Sequence, residues 1–284
     1  MRFSWKINVV IASLTILMLA ACNLEKEVDI NLPGYEVQPV LECYLEPGKP
    51  YRLLLSTSNS YFDELPTEDN LIEFLDKILV KNALIKIRVA GEEIALRNEI
   101  TVDFESLKFY NYISDNIVPE NFNDEFELLV VLADGREITA KTRILPIVPI
   151  DSVAVEFRDT LARTLIFVND PMDQKNYYRR MLHFNSLVDS FPRQDFVTDD
   201  VFVENGRLAF GHGFELSRGD TVINTIFHLD RAYFDYLNSV RNSIIANGNP
   251  FLQPGVIITN LRGNANAIGI FTGLSYDRVF TVIP

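Results

Sequence analysis

Apolar and polar side chains alternate with a period of two through most of this chain, and the alternation is cut repeatedly by proline, glycine and aspartate-glycine turns. Side chains two apart share one face of a strand, so the pattern restricts the chain to β-rich folds. Residues 37–45 and 51–57 read as strands separated by Glu46-Pro47-Gly48-Lys49-Pro50. Residues 83–90 set Ile85, Ile87 and Val89 against Leu84, Lys86 and Arg88, and Gly91-Glu92-Glu93 turns that strand into Ile94-Ala95-Leu96. Residues 125–132 and 137–142 meet across Ala133-Asp134-Gly135-Arg136, a strong hairpin signal. Six or seven short strands over about 110 residues with such turns between them predict an immunoglobulin-like β-sandwich over residues 37–148.

One segment breaks the rhythm. In residues 67–79, Leu71, Ile72, Leu75, Ile78 and Leu79 recur at helical spacing behind an acidic first turn, which predicts a short helix inserted in a loop with its stripe packed on the sandwich edge. Leu145-Pro146-Ile147-Val148-Pro149 is a stiff, proline-flanked connector and the expected domain boundary. Beyond it, residues 149–284 read as a second β-rich domain carrying one late α-helix. Strands are predicted at residues 152–157, 164–169, 177–185, 207–216 and 221–229, the last two as a hairpin across Ser217-Arg218-Gly219-Asp220. Asp230 is placed to cap a helix over 231–246, with Tyr233, Leu237, Val240 and Ile244 on one stripe and Asn247-Gly248 at its end. Residues 255–259, 265–271 and 276–283 are strand-like.

The N-terminus carries an address. Arg2 and Lys6 precede an apolar run from Ile7 to Leu19 that ends in Leu19-Ala20-Ala21-Cys22. The run is shorter than the roughly 20 residues needed to span a bilayer as a helix. It reads instead as a signal peptide, residues 1–21, cut between Ala21 and Cys22, with the Cys22 thiol taking the acyl chains of a lipoprotein. Residues 22–36 are polar and acidic and read as a tether between that anchor and the body. The net charge of −13 and the absence of Lys/Arg clusters exclude nucleic acid as a partner and leave membrane attachment to the anchor. Lipidation of Cys22 leaves Cys43 as the remaining cysteine, on the apolar face of its strand with Leu41 and Leu45, where a small core residue is expected rather than a nucleophile.

The search for chemistry returns no catalytic residue, cofactor site or metal site. His183, His212 and His228 lie on different predicted strands with no ligand spacing. Nucleophile elbows, phosphate loops and zinc-binding helices are missing. Asp195, Asp199, Asp200 and Glu204 are acidic neighbours without the register of a calcium loop.

Several blocks in order resemble one family: the lipobox, the strand from Val37 to Tyr44, Glu46-Pro47-Gly48, Asp170 to Tyr178, Gly219-Asp220-Thr221, Tyr233-Phe234-Asp235-Tyr236-Leu237, Asn249-Pro250-Phe251, and Asn260 to Gly273. Together they resemble the Bacteroidota lipoproteins called domain of unknown function 4249 (DUF4249). The resemblance implies an outer-membrane lipoprotein without established enzymatic activity, often encoded beside a TonB-dependent transporter. Glu25, Glu27 and Asp29 resemble the export signals that send such proteins to the extracellular face. The expected function is therefore ligand or partner recognition as an accessory of such a transporter, with the ligand unnamed. The alternatives are a surface hydrolase acting on glycan or peptide and a structural envelope protein. The expected contact residues are aromatics in turn-rich segments: Tyr61, Phe62, Tyr110, Tyr112 and Phe251.

Overall fold

Glycine, proline and Asp-Gly turns divide the first half of the chain into seven strands: β1 (Pro39–Leu45), β2 (Pro50–Thr57), β3 (Leu84–Val89), β4 (Glu92–Asp103), β5 (Lys108–Ile117), β6 (Phe126–Val131) and β7 (Glu137–Thr142). The computed structural model describes residues 36–60, 66–104, 108–172, 174–189, 191–203, 205–247 and 255–284. The expected signal peptide, Cys22 and nearly all of the tether lie outside the described residues.

Alternation sets the first core. Leu41, Cys43 and Leu45 of β1 point inward and are fully buried, while Val40, Glu42 and Tyr44 point the other way. β4 is the corner: its first half, through Leu96, pairs with β3, and from Arg97 onward it pairs with β5, with a register shift between Asn98 and Thr101. A bulge of this kind bends a strand and lets it serve two sheet halves. Leu41, Leu53 and Leu55 from one half pack in a common core with Ile85, Ile87, Phe126, Leu128 and Ile138 from the other. The β-sandwich expected from the sequence is thus formed, with Cys43 at its centre.

Its edges are closed from the far end of the chain. β14 (Arg262–Gly263) pairs antiparallel with β7, and β15 (Ile268–Gly273) pairs parallel with β1. The nine-stranded order is β14-β7-β6-β3-β4-β5-β2-β1-β15, so one short segment occupies both edges. Gly263 and Gly269 make this possible. Their φ angles are +116° and +127°, and a Cβ would fall 2.2 Å from the Glu137 carbonyl oxygen and 1.9 Å from that of Leu41, respectively.

The rest of the chain supplies β8 (Ile150–Arg158), β9 (Leu161–Asn169), β10 (Tyr177–Phe184), β11 (Gln194–Asp199), β12 (Arg207–Gly211), β13 (Thr221–Leu229) and β16 (Ser275–Val282). They form a four-stranded sheet, β11-β10-β13-β16, and a three-stranded sheet, β12-β9-β8. Val148, Ile166, Val168, Tyr178, Leu208, Phe210 and Ile226 pack between them. The late helix, here α2 (Arg231–Asn247), packs on the other face of this sheet at β10 and β11 and on β15, gathering Tyr233 and Tyr236 into one cluster with Tyr177, Phe227, Leu229 and Ile270. Cover on both faces keeps the end of β13, from Ile226 to Leu229, buried rather than alternating. Because β14 and β15 of the 149–284 stretch complete the sheet of the 37–148 stretch, Val37–Pro284 form one compact unit.

Three local expectations need correction. Residues 207–216 and 221–229 do not pair with each other. β12 pairs with β9, Leu216 stays bonded to Ala162, and the turn at Ser217–Asp220 then carries the chain to the other sheet. The first helix, α1 (Leu71–Ile78), buries none of its residues, and Ile72 is 84% exposed. Leu79, just past its end, is the residue that enters the core. Asp230 does cap α2, accepting from the Tyr233 N–H at 2.7 Å, but the buried face runs through Tyr233, Tyr236, Ser239 and Ser243, and Ile244 is 68% exposed. The cause is the returning backbone. The Ile258 N–H donates to Ser239 Oγ at 2.9 Å, and a Cβ on Gly255 would fall 2.5 Å from Ser243 Cα, an approach that only small helix residues allow.

Candidate functional site

The structure redistributes the aromatic residues singled out from the sequence. Tyr61, Phe62 and Phe251 lie outside the described residues. Tyr110 and Tyr112 are not surface contacts, because β5 is an inner strand between β4 and β2 and both side chains are buried. Tyr112 Oη accepts from the Ala83 N–H at 3.0 Å, and the Arg52 guanidinium stands 4.9 Å from the Tyr110 ring. Between them Asn111 bonds the Leu55 backbone in both directions, at 2.8 and 2.9 Å.

The histidines are structural. Each is buried, and burial pulls each below the ordinary imidazole pKa. His228 Nδ1 bonds the Pro146 carbonyl at 2.8 Å and so ties the connector to β13. Three of the acidic neighbours are also engaged, Asp195 with Arg179, Asp199 with Lys175, and Asp200 with the Asn176 N–H, while Glu204 lies outside the described residues. Among the described residues, no group of three or more metal-ligating side chains gathers.

A second polar cluster lies where α2 meets the outer face of β1. Burial pushes the Glu42 carboxyl up, but the Lys108 ammonium and the hydroxyls of Tyr44 and Tyr236 outweigh it and hold the group below the usual carboxylate range. Lys108 also lies 4.2 Å from the Tyr44 ring centroid, and Arg179 bonds Tyr233 Oη at 3.3 Å. This cluster is a packed seam that fastens α2 to the sandwich.

An open concavity lies elsewhere. Residues of β3, β6 and β7, with Asn260 and Arg262 from the closing segment, line a groove of about 460 Å³. Its charged walls are Lys86, Arg88, Glu127, Lys141 and Arg262, with Leu129, Thr139, Ala140 and Asn260 between them. The same alternation that buries Ile85, Ile87 and Ile138 turns Lys86, Arg88 and Thr139 outward, so the core pattern and the groove are two sides of one rule. Lys86 and Arg88 share Glu93, at 2.5 and 2.7 Å, and hydrogen bonds from both hold that carboxyl below its ordinary pKa. Lys141 lies between Glu125 and Glu127, at 2.8 and 2.6 Å, and is raised by both. Arg262 differs: it bonds the carbonyls of Thr259 and Leu261 and has no carboxylate partner among the described residues. Exposed ion pairs contribute only about 0–1 kcal/mol, so an incoming acidic group exchanges with Glu93 or Glu127 at little cost.

The family model described as Domain of unknown function (DUF4249) matches residues 25–278. The chain belongs to the DUF4249 family. The DUF4249 match includes the closing segment and the first half of β16. Two curated relatives match over part of the chain. A "Parvulin-like PPIase" of Rickettsia prowazekii (strain Madrid E) is 30% identical over 149 residues, 49% of this chain and 51% of that protein. Its counterpart in Rickettsia typhi is 31% identical over 150 residues, with the same coverage. The chain spans about half the length of the curated relatives it matches. Among solved structures, a two-domain fibronectin type-III segment of chicken tenascin is 10% identical with a TM-score of 0.21, covering 67% of this chain and 90% of that one. A DUF4785 family protein of Legionella pneumophila is 13% identical with a TM-score of 0.25, covering 68% and 52%. The architecture of this DUF4249 protein therefore rests on its own strand order.

Proposed function

We propose that this protein is a non-enzymatic, outer-membrane lipoprotein, held at the extracellular face by acylated Cys22, whose body recognises a ligand or partner as an accessory of a TonB-dependent transporter. The observation that carries the recognition reading is the open groove over β3, β6, β7 and β14, charged on its walls and built on paired strands. DUF4249 membership and the Leu19-to-Cys22 motif support the location. Among the described residues, no helix is long and apolar enough to cross a membrane.

The test has two arms. Cys22→Ala is expected to lose acylation and to be released by a salt wash, whereas firm retention of the unacylated variant refutes the anchor. Crosslinking in intact cells is expected to capture an outer-membrane barrel, and Lys86→Glu with Arg262→Glu to weaken that capture by about tenfold without changing the melting temperature. Capture indifferent to the double variant removes the groove from the reading. Hydrolysis of a glycan or peptide, or proline isomerisation, by the purified chain removes the non-enzymatic part.

A further inference from the structure

Arg180 of β10 is fully buried between the two C-terminal sheets, with its guanidinium carbon 6.0 Å from the Phe210 ring centroid. Nη1 donates to Gln194 Oε1 at 2.8 Å and to the Gly211 carbonyl at 2.6 Å, and Nη2 donates to Asn224 Oδ1 at 2.9 Å. All three acceptors are neutral. Among the described residues, no carboxylate comes within ion-pairing distance of this side chain. Burial pulls its pKa down to about 10, which leaves it charged at neutral pH. A buried charge without a counter-charge is costly unless something compensates it.

The groups left over around this cation are donors. Arg180 Nε and Asn224 Nδ2 are buried without a hydrogen-bond partner. The Asn224 orientation is fixed, because reversing its amide would set an NH₂ against the guanidinium. His212 Nε2 accepts from the Thr164 N–H at 3.0 Å, so the ring proton of the neutral imidazole sits on Nδ1. That atom lies 3.5 Å from Glu215 Oε1, and the other oxygen of Glu215 is held by Arg193 at 2.8 Å. His212 therefore has a partner in Glu215, and the two spare donors are Arg180 Nε and the Nδ2 of Asn224, whose Oδ1 already accepts from the same guanidinium.

We propose that the C-terminal sandwich binds one small monovalent anion of halide size, held by Arg180 Nε and Asn224 Nδ2. A single positive charge calls for a single negative one. A site closed over by fully buried side chains favours a spherical ion over a larger oxyanion. This site is separate from the surface groove and does not depend on the recognition reading.

Thermal unfolding of the full chain in sodium chloride, sodium bromide and sodium gluconate, at equal ionic strength and pH 7.5, tests it. Chloride and bromide are expected to raise the melting temperature by about 3–6 °C over gluconate, as a ligand of the native state does. Asn224→Asp builds a carboxylate beside Arg180. This variant is expected to be more stable than the wild type in gluconate and to show no halide increment. Equal wild-type melting temperatures in all three salts overturn the proposal, as does a full halide increment in Asn224→Asp. Should that variant fail to fold, chloride-35 line broadening by the wild type decides: its presence supports the site, and its absence refutes it.

Discussion

Gly269→Ala isolates the close approach that closes the first sandwich. Gly269 sits opposite Leu41 in the parallel pairing of β15 with β1, at a φ of +127°. Holding an L residue in such a region costs about 1–3 kcal/mol. The new methyl would also meet the Leu41 carbonyl oxygen at 1.9 Å and its carbon at 2.8 Å. Backbone atoms cannot swing aside as a side chain does, so β15 must move, and overpacking of this kind costs a further ~1–3 kcal/mol. The sum is about 2–6 kcal/mol, or a fall of about 4–24 °C in melting temperature at roughly 2–4 °C per kcal/mol. Gly91→Ala is the matched control: its φ is +83°, but nothing lies within 4 Å of its Cβ position. It carries only the left-handed penalty of about 1–2 kcal/mol. Thermal and urea unfolding followed by circular dichroism give both values. If Gly269→Ala costs no more than Gly91→Ala, β15 is not pressed against β1 and the closure argument fails.

Ile244→Ala should change stability by no more than about 0.5 kcal/mol because the side chain faces solvent, whereas Ser243→Leu should cost about 1–3 kcal/mol by pushing the Gly255 backbone away; the reverse order would mean the α2 face is misassigned. Acid should destabilise the protein before its carboxylates titrate. Burial lowers the pKa of His183, His212 and His228, so the unfolded chain takes up protons that the folded one refuses, and their contribution is present above about pH 6.5 and lost progressively below it. Glu42, also lowered, adds a loss below about pH 4.5, while Asp230, raised by burial, works in the opposite sense. A melting temperature unchanged between pH 7.5 and 5.5 would refute the histidine assignment.

What the sequence made legible was whatever local periodicity and turn chemistry determine. The β6–β7 hairpin across Asp134-Gly135, the inward face of β1 and the Asp230 cap all follow from residues within a few positions of one another. What stayed hidden depends on distant partners. Ser239 and Ser243 look polar, and Ile244 looks like core, until the 255–258 backbone is laid against the helix. Tyr110 and Tyr112 sit near turns in sequence, but neighbouring strands on both sides make β5 an inner strand. Half of the groove was visible as Lys86 and Arg88 alternating against Ile85 and Ile87; Arg262 arrives from the other end of the chain and no local pattern announces it. Arg180 lies in a strand beside a second arginine, Arg179, and nothing in the sequence distinguishes the one that pairs with Asp195 from the one that is buried among neutral groups.

Strands β14 and β15 come from the last part of the chain and complete a sheet whose other members come from the first half. During synthesis, then, β1 and β7 wait with open edges until nearly the whole polypeptide exists, and the first sandwich cannot mature ahead of the second. Unpaired edges invite pairing with other chains, so a product cut short before residue 262 should aggregate or be degraded rather than persist as a stable half. Long-range pairing of this kind also slows folding. Under the proposed function, in which the chain crosses a membrane unfolded before Cys22 is acylated, that delay would be an advantage.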